Sequence, residues 1–317
     1  MARIGCALAS EEHGPSELVR QAILAEEAGF DALWISDHYH PWNDEQGQSP
    51  FVWSTIGAIS QITRLPVTTA VTCPTMRIHP AIVAQAAATS AILLDGRFAL
   101  GVGTGEALNE HILGDRWPAA RERLAMLEEA VEVMRALWRG DLVNHRGPHY
   151  TVENARLYTL PDSPPRVFVS GFGPAAAKLA GRIGDGFCTT MPDPALLAAF
   201  REAGGEGKPS QAGTKACWAV DEAAARKTAH RLWSNMGVPG ELTQLLPTQR
   251  HFQQATQLVT EDMIARTVPC GNDPRRHIAA LRAYLDAGYD EVFVQQIGPE
   301  QDGFFEFYAQ EVLPEVR

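Results

Sequence analysis

His38 and Trp42 lie in the run Ser36-Asp37-His38-Tyr39-His40-Pro41-Trp42, directly after the apolar stretch Asp31-Ala32-Leu33-Trp34-Ile35. A titratable imidazole, a carboxylate and a large aromatic face thus gather where a strand is expected to end. A second strand-like run, Arg97-Phe98-Ala99-Leu100-Gly101-Val102, ends in Gly103-Thr104-Gly105-Glu106. Histidine and glutamate are common choices for positioned proton transfer near neutral pH. Glycines leave room for a flat group to approach the backbone. Together these runs point to an enzyme whose acid/base pair works beside a ring-shaped cofactor.

Each motif also has a plain reading. The glycine run is spaced GxGxGE and follows the fourth expected strand. A dinucleotide fingerprint is GxGxxG near the start of a βαβ unit, so that reading is set aside. A tight turn needing positive φ explains the glycines equally well, but not Glu106, which is poorly placed for a core. His38 and His40 form an HxH pair, and alternate residues of a strand share a face. A zinc site needs three or four protein ligands, and the later histidines fall mostly in expected helices or insertions. A hydrogen-bonded loop histidine is the plain alternative for His38. Ser170-Gly171-Phe172-Gly173-Pro174 opens an alanine-rich helix, and is either an anion site at a helix N-terminus or an ordinary glycine turn. Thr72-Cys73-Pro74-Thr75-Met76-Arg77 closes the third strand and reads alone as a loop.

The elements that must position these groups alternate. Strands are expected at 4–8, 32–35, 67–73, 97–102, 166–170, 186–189, 216–220 and 291–295. Helices are expected between them, among them 15–28, 80–94, 121–138, 174–183, 194–202 and 275–287. Several open with proline in the first turn, where its missing N–H costs nothing. Others close at glycine, as at Ala28-Gly29 and Ala287-Gly288. Eight strands alternating with helices imply parallel βαβ units, and 317 residues suit one closed (β/α)8 barrel. The whole chain, 1–317, reads as a single such domain with insertions near 142–160 and 234–262. The first contains a small hairpin around Arg146-Gly147-Pro148; the second is Gln- and Pro-containing and weakly periodic. Long loops at the C-terminal face of a barrel usually shape the substrate site.

Composition narrows the partners. A net charge of −11 with 45% hydrophobic and 21% charged residues fits a soluble globular protein and makes nucleic acid an unexpected partner. No apolar run reaches the ~20 residues of a membrane span. The N-terminal run lacks a signal-peptide layout. Five cysteines, widely spaced and without a CxxC, read as reduced, mostly buried thiols, so a cytoplasmic location is expected.

Taken together, Ser36–Trp42, Thr72–Pro80, Gly101–Glu110 and Gly171–Lys178 resemble the deazaflavin-dependent branch of the luciferase-like superfamily. That branch includes coenzyme F420-dependent glucose-6-phosphate dehydrogenases and F420-dependent secondary-alcohol dehydrogenases. The resemblance spans nearly the whole chain, and the run from Gly101 to Glu110 is its most specific part. It implies a luciferase-like TIM barrel, usually a homodimer, with the cofactor F420 at the C-terminal ends of the strands and a small-molecule substrate. FMN is the less favoured cofactor. His38 and Glu106 match the catalytic acid/base pair, and Trp42 matches the aromatic beside the reacting carbon. Asp37, Cys73, Thr104, Gly105, Asn109, Phe172, Gly173, Ala175 and Ala176 match cofactor contacts. Trp42 and Thr190 match substrate-facing positions. Ala70-Val71 stands where the family has a non-proline cis peptide against one ring face. Cys73 replaces a common threonine, and Phe172 a common glycine.

The substrate positions depart further. Glucose-6-phosphate enzymes hold the phosphate with two lysines and an arginine; here Asp193 lies near the first lysine, Thr267 replaces the arginine, and no lysine follows Lys227. A phosphate dianion needs charge-assisted partners, so the expected substrate is a secondary alcohol or sugar-like hydroxyl. Arg250, His251 and Arg266 form the alternative, a relocated phosphate site. An FMN-dependent monooxygenase on the same fold and a metal-dependent barrel hydrolase are the competing activities.

Overall fold

The computed structural model describes residues 3–317. Ten strands run β1 Arg3–Leu8, β2 Leu33–Ile35, β3 Val67–Thr69, β4 Phe98–Val102, β5 Val143–Arg146, β6 Thr151–Ala155, β7 Arg166–Ser170, β8 Gly186–Thr189, β9 Ser210–Ala216 and β10 Glu291–Gln296. Eight of them close a barrel in the order β1-β10-β9-β8-β7-β4-β3-β2. Every pairing in it is parallel, from Arg3↔Glu291 between β1 and β10 to Leu33↔Val67 between β2 and β3. β5 and β6 form the expected antiparallel hairpin outside the barrel.

Of three hydrophobic clusters among the described residues, one gathers Cys217, Ala229, Trp233, Ile264 and Val268, and the other two hold the barrel. The larger lies between strands and helices and is made of aliphatic side chains such as Ile4, Leu18, Leu33, Ile56, Val83, Leu100, Leu127 and Val167. Burying each contributes roughly 1.5–3 kcal/mol. The smaller fills the lumen, where Trp34 and Phe293 stack with centroids 4.4 Å apart against Phe168, Ala99 and Cys188. Trp34 Nε1 donates to Gln211 Oε1 at 2.9 Å, and Gln211 Nε2 to Glu291 Oε2 at 2.8 Å. Arg3 closes that chain by pairing with Glu291. The lower lumen is therefore packed, and room for chemistry exists only at the C-terminal end. Proline opens the helices Pro15–Glu27, Pro80–Leu93, Pro174–Ile183, Pro194–Phe200 and Pro274–Asp286.

One strand is displaced from its expected place. The apolar run 216–220 is not the seventh barrel strand; Ser210–Ala216 is. Its lumen face is Gln211, Gly213 and Lys215, and Gly213 leaves room for the Trp34 ring, which a Cβ would approach to 2.4 Å. A strand chosen for small and polar lumen contacts carries little hydropathy signal, whereas Cys217 and Trp218 beyond it are apolar for a different reason. The Cys217 backbone forms an isolated parallel β-bridge with Cys270, and Trp218 packs against the main core beside Phe307. The third strand also ends at Thr69, earlier than expected, just before the cis Ala70-Val71 peptide; pairing with β4 resumes only at Thr72↔Val102. The 234–262 insertion is helical in pieces, with Gln249–Ala255 and Glu261–Ala265 capped by the Thr248 and Thr260 side chains. No helix among the described residues is long and apolar enough to cross a membrane. All five cysteines are free and buried.

Candidate active site

β2 delivers Ser36, Asp37 and His38 to the C-terminal rim, and β4 delivers Gly103 to Glu106 beside them. The glycines there serve different ends. A Cβ on Gly101 would stand 1.9 Å from the Thr69 carbonyl oxygen, and one on Gly103 2.8 Å from Val71 Cγ2. These two permit β4 to press against the cis Ala70-Val71 segment. Gly105 has φ +75°, and a Cβ would meet Cys73 Sγ at 2.6 Å. The turn that presents Glu106 thus needs both the left-handed backbone and the missing side chain.

Asn109 joins the expected acid/base pair. Its Oδ1 accepts from the Tyr39 and His40 N–H groups at 2.9 and 3.0 Å, which orients the amide. Its Nδ2 then faces His38 Nδ1 at 3.2 Å and donates to Glu106 Oε2 at 3.4 Å. Every hydrogen-bonding direction of this side chain is used within the protein. His38 Nε2 lies 3.4 Å from Glu11 Oε1, and Glu11 Oε2 is held by the Ser36 hydroxyl at 2.7 Å. Beside His38, the Trp42 ring packs edge-on with centroids 5.2 Å apart. Phe252, from the insertion, supports Trp42 from the other side at 5.1 Å. Glu11 and Phe252 escaped the sequence reading. Glu11 carried a usable signal, since it lies just past the C-terminal end of β1, where barrel enzymes keep their functional groups. Phe252 carried none.

A second cluster lies under the glycine turn. Asp37 is buried, accepting from Arg77 at 2.9 Å and from the Thr72 hydroxyl at 2.8 Å. Glu110 accepts from the Arg77 N–H at 2.8 Å, and burial raises its pKa to about 7 against the pull of Arg77. Cys73 Sγ contacts Thr75 Oγ1 at 2.9 Å, and burial, reinforced by Glu110, pushes its thiol well above the usual range. Arg77 was also unread in the sequence, being one cation in an irregular loop.

The other expected positions are spread around the same rim. Thr104 is half-buried beside Gly105. Phe172 is 51% exposed at the end of β7, and nothing lies within 4 Å of a Cβ built on Gly173. That glycine caps the helix Pro174–Ile183 with no side-chain hydrogen bond. The first-turn N–H groups of Ala175 and Ala176 have no side-chain cap, and a helix start of this kind suits a phosphate ester. Thr190 is exposed past β8, its carbonyl accepting from the Tyr284 hydroxyl at 3.0 Å. His40 diverges from His38, with Nδ1 2.9 Å from the Leu108 carbonyl. Among the described residues no three His, Cys, Asp or Glu side chains converge as a metal set. Two clefts of about 360 and 540 Å³ open elsewhere, at the N-terminal end beside Arg64 and Arg97 and beside Pro161 to Pro165. Neither contains the residues above.

The luciferase-like monooxygenase family model matches residues 1–291. The chain belongs to the luciferase-like family. This luciferase-like protein is 33% identical over 336 aligned residues to a protein of Amycolatopsis mediterranei strain U-32 named F420-dependent glucose-6-phosphate dehydrogenase, covering 100% of this chain and 99% of the relative. A protein of the same name from Microbacterium testaceum strain StLB037 is 35% identical, over 99% of this chain and 97% of the relative. Among solved structures, an F420-dependent secondary alcohol dehydrogenase in complex with an F420-acetone adduct superposes with a TM-score of 0.93 at 32% identity, covering 100% and 99% of the two chains. The luciferase-like fold and its barrel strand order are thus the frame in which the His38 and Glu106 geometry acts.

Proposed function

We propose that this protein is an F420-dependent dehydrogenase or reductase acting on a carbinol carbon. The observation that carries the reading is the rim geometry, in which Asn109 links His38 to Glu106 beside the Gly101–Glu110 turn. Identity of 32–35% to F420-dependent relatives over the full chain supports the cofactor. The site fits F420 in two places: the helix N-terminus at Ala175 and Ala176 for its phosphate, and the Val71–Gly105 wall for its ring. Bound F420 supplies a deazaflavin that exchanges a hydride with the substrate carbon.

The protein's own groups then divide the proton work. His38 takes the hydroxyl proton. As imidazolium both its nitrogens donate: Nε2 has Glu11 Oε1 at 3.4 Å, and Nδ1 has the His40 carbonyl at 3.3 Å once it no longer accepts from Asn109 Nδ2. Glu11 is the positioning residue, fixed by Ser36. Glu106 holds a carboxyl on the cofactor side of Asn109. Trp42, braced by Phe252, covers the substrate and excludes water.

The substrate is a secondary alcohol or sugar-like hydroxyl, held without the usual phosphate contacts. Asp193 caps a helix by accepting from the Ala195 N–H at 2.8 Å. Thr267 is exposed, with its hydroxyl bonded to the Ile264 carbonyl at 3.2 Å. Arg250 and His251 sit on the exposed side of the helix whose buried face is Phe252, so they turn away from Trp42. Titration of apoprotein with F420, FMN and NADP, followed by turnover of isopropanol and glucose 6-phosphate at saturating F420, tests both parts. Tightest binding of F420 and turnover of isopropanol are expected. FMN binding without F420 binding overturns the cofactor. A glucose 6-phosphate efficiency of ~10⁴ M⁻¹s⁻¹ or better overturns the substrate.

A further inference from the structure

Gln46 is a buried amide, 4% exposed, in the irregular segment that follows Trp42. Both ends of its side chain are committed, and to different parts of the molecule. Oε1 accepts from the Trp42 N–H at 2.8 Å, and Nε2 donates to the Leu232 carbonyl at 2.9 Å. The partners fix which end is which, since an N–H only donates and a carbonyl only accepts. Leu232 lies in the last turn of the helix Glu222–Trp233, where carbonyls have no intrahelical partner. That turn leads directly into the 234–262 insertion.

Neighbouring residues grip the same turn. Asn43 Nδ2 donates to the Leu232 carbonyl at 2.9 Å, while its Oδ1 accepts from the Glu45 and Gln46 N–H groups at 3.0 and 3.1 Å. Glu45 pairs with Arg231 at 2.8 Å on the surface, where such a pair contributes little. The far part of the insertion returns to this segment, with Phe252 on the Trp42 ring and Gln253 on Asp44 at 3.3 Å. Toward the barrel, the Ser49 hydroxyl donates to the His38 carbonyl at 2.7 Å. Among these side chains Gln46 is the one that hydrogen-bonds the Trp42 backbone itself. Removing its amide leaves a donor and an acceptor unpaired in a covered place, which costs more than the net worth of either bond.

We propose that Gln46 is a positioning residue for Trp42, tying its backbone to the root of the insertion. The ring over the substrate and the short helices behind it then keep one fixed spacing. Phe252 limits how far the ring swings, and Gln46 fixes where the ring starts. The inference rests on the reading of Trp42 as the substrate cover and deepens it. It assigns Gln46 to alcohol binding and not to F420, whose expected contacts lie on the glycine turn and at the helix start of Ala175 and Ala176.

Gln46→Met keeps the length of the side chain and removes both hydrogen bonds, which together correspond to a factor of about 10. At saturating F420 its isopropanol KM is expected to rise by about that factor, with kcat and F420 affinity within about twofold. An unchanged KM, a loss confined to kcat, or an equal fall in F420 affinity overturns the proposal. The double variant Gln46→Met/Trp42→Ala tests the route. With no ring left to place, its KM is expected within about twofold of that of Trp42→Ala. A further rise of about tenfold shows that Gln46 acts elsewhere, and overturns the proposal. Hydrogen exchange of the full chain reads the same bond without turnover: the Trp42 amide is expected to exchange faster in Gln46→Met, and unchanged exchange overturns the proposal. If the wild type oxidises no alcohol, the carbinol reading fails separately and this exchange decides the positioning. If Gln46→Met does not fold, Asn43→Ala decides, since it removes the second donor to Leu232 from a less covered site. It is expected to raise the isopropanol KM about threefold with kcat retained, and no rise overturns the proposal.

Discussion

The two sides of the barrel mouth are built on opposite principles. On the β3–β4 side, backbone presses on backbone: Gly101 and Gly103 admit the Ala70-Val71 segment, and the buried Asp37, Arg77 and Glu110 lock the loops beneath. On the insertion side, short helices lean on side chains, with Phe252 bracing Trp42 and Trp233 lying under Lys215. The first side suits a flat cofactor ring laid against a rigid wall. The second suits a substrate that changes, because a side-chain contact can be exchanged without moving the barrel.

The comparison can be broken where the two sides meet. His38→Ala is expected to cut turnover by ~10²–10⁴-fold, the range for a positioned proton acceptor, with F420 affinity unchanged. Near-normal turnover would move the base to another residue, Glu106 first. On the backbone side, Gly101→Ala places a methyl against a carbonyl that has no room to yield. It is expected to cost about 3 kcal/mol in urea unfolding, and F420 affinity should fall with it. Tolerance of that methyl would mean that β4 is not the rigid wall described.

On the side-chain side, Phe252→Ala should leave F420 affinity within twofold and raise the alcohol KM about tenfold, ~1.4 kcal/mol. A loss of F420 binding in that variant would erase the distinction between the two sides. Glu110 supplies a pH test of the buried cluster. Its pKa is raised from 4.5 to about 7 chiefly by burial, so folding favours its protonated form. The stability it contributes is present below about pH 4.5 and is lost as pH rises through about 7. The stability of the wild type relative to Glu110→Gln should therefore fall over that window in thermal melts, and a difference that stays constant with pH would show that Glu110 titrates normally. Smallest of all, the exposed Arg250→Ala should change stability by less than ~0.5 kcal/mol and alcohol kinetics by less than twofold.

Local chemistry made most of the barrel legible. Proline at helix starts, glycine at ends and short apolar runs marked seven of the eight barrel strands near their places, and the hairpin at 142–152 followed from Arg146-Gly147-Pro148. β9 was misread because its lumen side chains, Gln211, Gly213 and Lys215, answer to Trp34 and Glu291, partners far away in sequence. In the site, the residues read from the chain were those inside contiguous motifs. Glu11, Arg77, Phe252 and Lys215 were invisible because each gains its meaning only from a partner on another element.

By itself, then, the sequence determined the alternation of elements, the glycine turn before Glu106 and the placement of His38 and Trp42 at a strand end. These rest on backbone sterics and periodicity, which act within a few residues. Only the tertiary structure decided that Asn109 ties His38 to Glu106, that Arg77 is committed to Asp37 and Glu110, and that Lys215 stands over the Trp233 ring. Those are outcomes of barrel closure, which brings Glu11, His38, Asn109 and Lys215 to one rim from four different strands.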